Sequence, residues 1–174
     1  MIEIRLVSQP QALTELQGEQ LVELHLDYLA NQRELLKEVK PGPVIQITPQ
    51  HLLENNVVAA AFDLDKIIGY VLFRNITGAL SIRCIFVNPA YRQKGLMKAM
   101  LDVVHANETY HQIGVNLPPE CDNVANYFED MGYPKVRDLN CGWTCFSRVF
   151  AESSRRPTVD RPPISGVVGT CALK

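Results

Sequence analysis

The sequence predicts a single α/β (α+β) domain, on three observations. Residues 57–87 form a β-rich block broken only by short polar turns, as strands joined in sequence do. Helical periodicity flanks the block. Leu21, Leu24, Tyr28 and Leu35 share one stripe before it; Leu96, Met100, Val103 and Val104 share another after it, with Leu101 on the flank. Between the block and the second helix lies Ile85-Phe86-Val87-Asn88-Pro89-Ala90-Tyr91-Arg92-Gln93-Lys94-Gly95-Leu96-Met97, an apolar strand stopped by Pro, a short basic loop and an immediate helix start. A chain of 174 residues holds one such core, with a tail.

Taken in order, Ile2–Val7 alternates apolar and polar residues as a half-buried strand does. Residues 11–39 read as a helix, ended by Pro41-Gly42-Pro43. Thr48-Pro49 reads as a cap and first-turn Pro of a short helix reaching Glu54. Strands follow at residues 57–62, 67–74 and 80–87, with turns at 63–66 and 75–78. After the basic loop and its helix, residues 113–117 form a short strand that Pro118-Pro119 breaks. Cys121 or Asp122 caps a helix running to Met131, with Gly132 as the left-handed residue at its end. Residues 133–150 give two last strands around the turn 139–142. Domain boundaries are therefore 1–150 for the folded domain and 151–174 for a C-terminal arm.

Composition narrows the classes. A net charge of −2 argues against broad, non-specific nucleic-acid binding. No stretch has the ~18 uninterrupted apolar residues of a membrane span, and Met1-Ile2-Glu3-Ile4-Arg5 does not open a signal peptide. Cys84, Cys121, Cys141, Cys145 and Cys171 are odd in number and form no CxxC pair, which reads as reduced thiols in a cytoplasmic protein. Cys141 and Cys145 would need further ligands to hold a metal, and no paired His or Cys motif supplies them, so none is expected.

The basic loop carries the chemistry. A strand that feeds a helix leaves the first helical N–H groups unpaired and pointing outward. Those donors, the positive end of the helix dipole, Arg92 and Lys94 together suit a phosphate-bearing ligand. Bland surface charge is the competing reading for the two side chains.

Three stretches resemble the GNAT superfamily of acetyl-CoA-dependent N-acetyltransferases. Lys66-Ile67-Ile68-Gly69-Tyr70-Val71-Leu72 looks like its third strand, and Val87 to Gly95 looks like its pyrophosphate loop. Asn123-Val124-Ala125-Asn126-Tyr127-Phe128-Glu129-Asp130-Met131-Gly132-Tyr133 looks like its later helix ending in Gly and an aromatic. The resemblance spans about residues 55–150. It implies a mixed, mostly antiparallel central sheet flanked by helices, with acetyl-CoA as cosubstrate and an amine as acceptor. It places Phe86, Val87, Arg92, Gln93, Lys94, Gly95, Leu96, Met97, Asn123 and Phe128 at the cofactor, the backbone of Phe86 and Val87 serving the carbonyl oxygen.

Two positions depart from the family pattern. Met97 replaces the second small residue of the loop. Phe128 stands where many members carry a Tyr near the cofactor sulfur. Tyr127, one helical step of about 100° away, and Glu54, on the short helix before the sheet, are the catalytic candidates that remain. His51 sits beside Glu54; Asp63 and Asp65 read as turn residues; His25, Cys84, Tyr91 and Trp143 read as packing; His105 and His111 read as surface. The expected partner is an amine-bearing small molecule or protein, with no nucleic acid and no membrane. A catalytically weak or inactive GNAT module acting through protein contacts is the alternative, and an assembly protein using its arm is another. The arm's apolar end, Ile164 to Leu173, is expected to pack on the domain or on a second copy in a homodimer, against a disordered end as the bland reading.

Overall fold

The computed structural model describes residues 1–36, 47–107, 109–140 and 142–150. The loop at Pro41-Gly42-Pro43, Cys141 and the arm at 151–174 lie outside these residues, as do the side chains of Leu35 and Asn123.

Among the described residues the chain forms a seven-stranded sheet in the order β1-β2-β3-β4-β5-β7-β6. The strands are β1 (Ile2–Val7), β2 (Asn56–Asp63), β3 (Lys66–Ile76), β4 (Ala79–Val87), β5 (Gln112–Leu117), β6 (Lys135–Asp138) and β7 (Thr144–Val149). The helices are α1 (Glu15–Leu36), α2 (Pro49–Leu53), α3 (Leu96–His105) and α4 (Asp122–Asp130). Neighbouring strands run antiparallel except β4 and β5, which are parallel and joined through α3. A parallel pair cannot be closed by a tight turn, so α3 is the crossover it requires.

The sheet separates two cores. On one face α3 and α4 bury Met100, Leu101, Val104 and Phe128 against Ile68, Leu80, Ile85 and Ile113. On the other, α1 and α2 bury Leu21, Leu24, Tyr28 and Leu53 against Tyr70, Leu72, Cys84 and Phe86. Burying one such side chain contributes about 1.5–3 kcal/mol, which is why both helix stripes were readable.

Three local readings change. The first helix starts at Glu15, not at residue 11, because Pro10–Ala12 forms a 3-10 turn. Thr14 Oγ1 accepts from the Gln17 N–H and Gln17 Oε1 accepts from the Thr14 N–H, closing a capping box at the true start. In α3, Leu101 is fully buried whereas Val103 is half-buried, so the stripe is rotated toward Leu101. His105 is not a surface residue. Its Nε2 lies 2.6 Å from the Tyr133 hydroxyl and its ring packs 5.0 Å from Phe150, tying the end of α3 to the last strands.

Candidate active site

The central feature is a divergence between β4 and β5. Their ladder joins only Ala79–Ser81 to Gln112–Gly114. Beyond it β4 runs on to Val87 while β5 turns to β7, pairing from Gln112 to Leu117. A slot therefore opens along the far half of β4 and leads toward the loop before α3.

Backbone alternation decides which β4 groups face the slot. The Asn88 N–H donates to the Ile68 carbonyl, so Asn88 bonds toward β3. Residues alternate in an antiparallel ladder, so Phe86, opposite Tyr70, also bonds toward β3. Ile85 and Val87 then turn their N–H and C=O groups to the slot. The Val87 carbonyl confirms the direction by accepting from Arg92 Nε at 3.1 Å. Phe86 therefore offers the slot no backbone donor; its ring packs in the α1 core. Ile85 is the residue sequence reasoning missed. Counting back by two from Val87 would have found it.

At the end of the slot the chain makes a tight, open cradle. Gln93 and Gly95 both adopt left-handed φ, at +62° and +72°. Gly95 is the N-cap of α3, and no side chain caps the helix. The first intrahelical bond in this turn runs from the Ala99 N–H to the Gly95 carbonyl, so Leu96, Met97 and Lys98 hold N–H groups without an intrahelical acceptor. The contrast with α1 and α2 is informative, since those carry Thr14 and Thr48 as caps. A Cβ built on Gly95 meets no atom within 4 Å. Gln93, Lys94 and Gly95 are exposed, and no acidic residue occupies the first turn. The arrangement suits a phosphate group.

The loop is braced from behind. The Tyr91 hydroxyl donates to Asp63 Oδ2 at 3.0 Å, and Lys94 Nζ lies 4.8 Å over the Tyr91 ring. Asp63 thus fastens the loop to the end of β2. Met97 packs against the core beneath α3, and Leu96 is buried there.

The remaining candidates fall in different places. Phe128 has no exposed surface and packs edge-on to Tyr133, with ring centroids 5.2 Å apart, so it is a core residue that presents no face to a ligand. Tyr127 is half-buried near Lys98 and Asp102 of α3. Burial chiefly raises its phenol above the ordinary value, with Lys98 opposing. Asn123 is a backbone position in the first turn of α4. Glu54 is exposed on the C-cap of α2, beside the strand ends where Asn56 pairs Arg74 and Arg74 pairs Ser81. Val87 is six residues further along β4, roughly 20 Å at ~3.3 Å per residue. The structure therefore does not bring Glu54 to the loop.

A second polar group lies under α1. The Cys84 thiol is 3.7 Å from the Tyr70 oxygen, and the Tyr70 hydroxyl is 2.8 Å from His25 Nδ1. Burial pushes the Cys84 thiol up to about 12 and His25 down to about 4. Cys84 is thus a protonated core thiol, and His25 shares a hydrogen bond with Tyr70 as a neutral imidazole.

The His25 shift has a consequence for stability. The unfolded chain protonates this imidazole near pH 6.5 and the folded chain only near pH 4, so the unfolded state binds more protons between them. The stabilisation is complete above pH 6.5 and is lost as pH falls toward 4, by at most about 3 kcal/mol. Melting curves of wild type and His25→Gln between pH 8 and pH 4.5 check this. The gap between the two narrows with acid; a gap constant in pH contradicts the assignment.

Among the described residues no group of three or more His, Cys, Asp and Glu is placed to hold a metal, and no helix is long and apolar enough to cross a membrane. No curated protein matches the chain in sequence. The family model of the acetyltransferase (GNAT) domain matches residues 54–135, from the end of α2 to β6. Solved structures share the architecture at low identity. The GNAT domain of S. lividans PAT is 16% identical with a TM-score of 0.64, covering 86% of this chain and 90% of that one. The PaiA N-acetyltransferase of Thermoplasma acidophilum, in complex with coenzyme A, is 14% identical with a TM-score of 0.63, covering 86% and 99%. Arabidopsis thaliana NAA60, in complex with a bisubstrate analogue, is 16% identical with a TM-score of 0.58, covering 88% and 100%. Residues 54–135 thus match the GNAT acetyltransferase domain, and the fold is the one these GNAT structures share.

Proposed function

We propose that this chain transfers an acetyl group from acetyl-CoA to an amine acceptor by direct attack. The observation that carries the reading is the uncapped start of α3 at the end of the β4 slot. Its open N–H groups, with Arg92 and Lys94 beside them, suit a pyrophosphate. The slot edge suits an extended amide-bearing arm, and a structural relative is in complex with coenzyme A. When bound, acetyl-CoA supplies an activated thioester. The Ile85 and Val87 N–H groups, turned to the slot, would serve the carbonyl oxygen as it gathers negative charge, and a preorganised donor of this kind is worth roughly 10²–10³ in rate. The acceptor loses its proton and the thiolate leaves; a thiol is a fair leaving group, so the step proceeds slowly even without a positioned acid.

The absence of a ready acid and base among the expected residues favours a second reading, a catalytically weak GNAT module. Glu54 is remote and Phe128 is core. The deciding experiment is calorimetry with acetyl-CoA followed by thiol release over an amine panel. Binding without turnover favours the module; absence of binding removes the transfer reading.

Tyr127 tests the acid directly. Tyr127→Phe is expected to hold kcat within roughly tenfold, because a positioned acid contributes about 10²–10⁴ and this phenol lies beside the α3 charges. A larger loss in a folded variant would show that Tyr127 protonates the leaving group.

A further inference from the structure

A bulge in β4 decides what lies under α1 beside the slot. Leu72 pairs Cys84 and Phe73 pairs Ile82, so Arg83 is the extra residue. Without it Ile82 and Cys84 would share a face. With it Ile82 packs in the core beneath α3 and Cys84 in the core beneath α1. From there the alternation is regular: Cys84 and Phe86 lie on the α1 face, Ile85 and Val87 on the α3 face. The bulge thus brings a polar side chain to the α1 face of the stretch of β4 that borders the slot.

Three polar groups meet there. His25 Nδ1 is 2.8 Å from the Tyr70 hydroxyl and 3.9 Å from Cys84 Sγ, and that sulfur is 3.7 Å from the Tyr70 oxygen. Tyr70 and Cys84 are only 1% and 3% exposed, so neither reaches a ligand. His25 is half-buried, with its ring stacked on Tyr28 at 5.8 Å between centroids. Among the described residues its Nε2 has no hydrogen-bond partner, and it is not one of the buried unpaired atoms, so this nitrogen is open to solvent. The place is close to the slot. The Ile85 nitrogen is bonded to the Cys84 carbonyl carbon, so covalent geometry puts His25 Nδ1 within roughly 8 Å of it. A carbonyl group held on the Ile85 N–H, with an amine attacking it from the α1 side, fills a gap of that size.

We propose that His25 is the general base of the transfer, receiving at Nε2 the proton of the amine as it attacks. The inference rests on the acetyl-transfer reading and deepens it. The amine lone pair forms the N–C bond, the C–S bond breaks with its electron pair on the departing sulfur, and the amine proton passes to Nε2. Solvent then protonates the thiolate and takes the imidazolium proton. An amine becomes more acidic as its nitrogen gives up the lone pair, so a weak base accepts the proton at that stage. Nδ1–H donates to the Tyr70 oxygen, whose own proton faces the Cys84 sulfur. That bond leaves the Nε2 lone pair outward and steadies the ring when it becomes charged. Burial keeps the resting imidazole neutral, as a base must be.

Two measurements test the assignment. The first needs neither acceptor nor coenzyme. The imidazole nitrogen NMR spectrum of the whole protein, with His25 assigned by the signals lost in His25→Gln, is expected to show a neutral ring protonated on Nδ1. A ring protonated on Nε2 overturns the proposal. The second follows thiol release from acetyl-CoA with primary amines, amino acids and tripeptides as acceptors, alongside calorimetry with acetyl-CoA. His25→Gln is expected to lower kcat roughly 10²–10⁴-fold with acetyl-CoA affinity unchanged. Added imidazole should restore part of the rate in His25→Ala. Tyr70→Phe, which keeps the ring and its packing, should lower kcat by less, again with affinity unchanged. Should a His25 variant fail to fold, the wild-type spectrum and Tyr70→Phe carry the decision. Turnover that His25→Gln leaves unmoved overturns the proposal, as does a loss confined to acetyl-CoA affinity. A wild type that binds acetyl-CoA but releases no thiol with any acceptor removes the transfer reading, and this role for His25 with it.

Discussion

Gly95→Glu abolishes acetyl-CoA binding while the protein stays folded. The glycine caps α3 at φ +72° with open space where a side chain would project. A non-glycine residue in that left-handed region costs about 1–2 kcal/mol, which a folded domain tolerates. The new carboxylate, however, would stand in front of the Leu96, Met97 and Lys98 N–H groups and repel the phosphates they are proposed to bind. The expected loss of affinity exceeds about 100-fold, since charge-assisted bonds contribute roughly 1.5–3 kcal/mol each and more than one is lost. Calorimetry on the variant, with its melting temperature as the control for folding, gives the answer. Unchanged affinity in a folded variant would place the pyrophosphate elsewhere.

Phe128→Ala produces the largest loss of stability. Phe128 has no exposed surface and meets Tyr133 edge-on inside the core beneath α3 and α4. Truncating such a ring costs about 3–5 kcal/mol, through lost burial and the cavity left behind. For a domain of this size the melting temperature should fall on the order of 10 °C. A drop of only a degree or two would mean that the ring is not packed as described. The result also bears on the family pattern. A hydroxyl added to this ring would enter the core that the ring fills beside Tyr133.

How much of this was legible in the chain depends on the range of the interactions involved. The strand–loop–helix unit was readable because Pro89 and Gly95 act locally, one by stopping a strand and the other by permitting φ +72°. The Thr48 cap was equally local. The start of α1 was mistaken although Thr14 and Gln17 spell a capping box, so that signal was present and unused. Other features were not readable at all. The bulge at Arg83 shifts a strand's faces by one residue, which no alternation within β4 announces. The distance between Glu54 and the loop depends on strand register, a property of three strands together. A polar depression lined by Ser81, Gly114, Asn116, Val136 and Ser147 draws its residues from β4, β5, β6 and β7, up to 66 positions apart in sequence, Ser81 to Ser147. His105 reads as a surface residue until Tyr133, 28 positions on, supplies its bond.

The divergence of β4 from β5 also bears on solubility. An open strand edge at the rim of a sheet is a template for other chains, and proteins guard it with charges or short strands. The outer edge at β6 is guarded in that manner, being four residues long with Lys135, Arg137 and Asp138 among them. The edge along Ile85 and Val87 needs no such guard. It lies between two strands of its own sheet, inside a wedge that closes where Ser81 meets Gly114. A second sheet cannot enter a gap bounded on both sides, whereas a single extended molecule of strand-like width can. The chain thus keeps strand backbone outside the ladder without offering it as a site of aggregation.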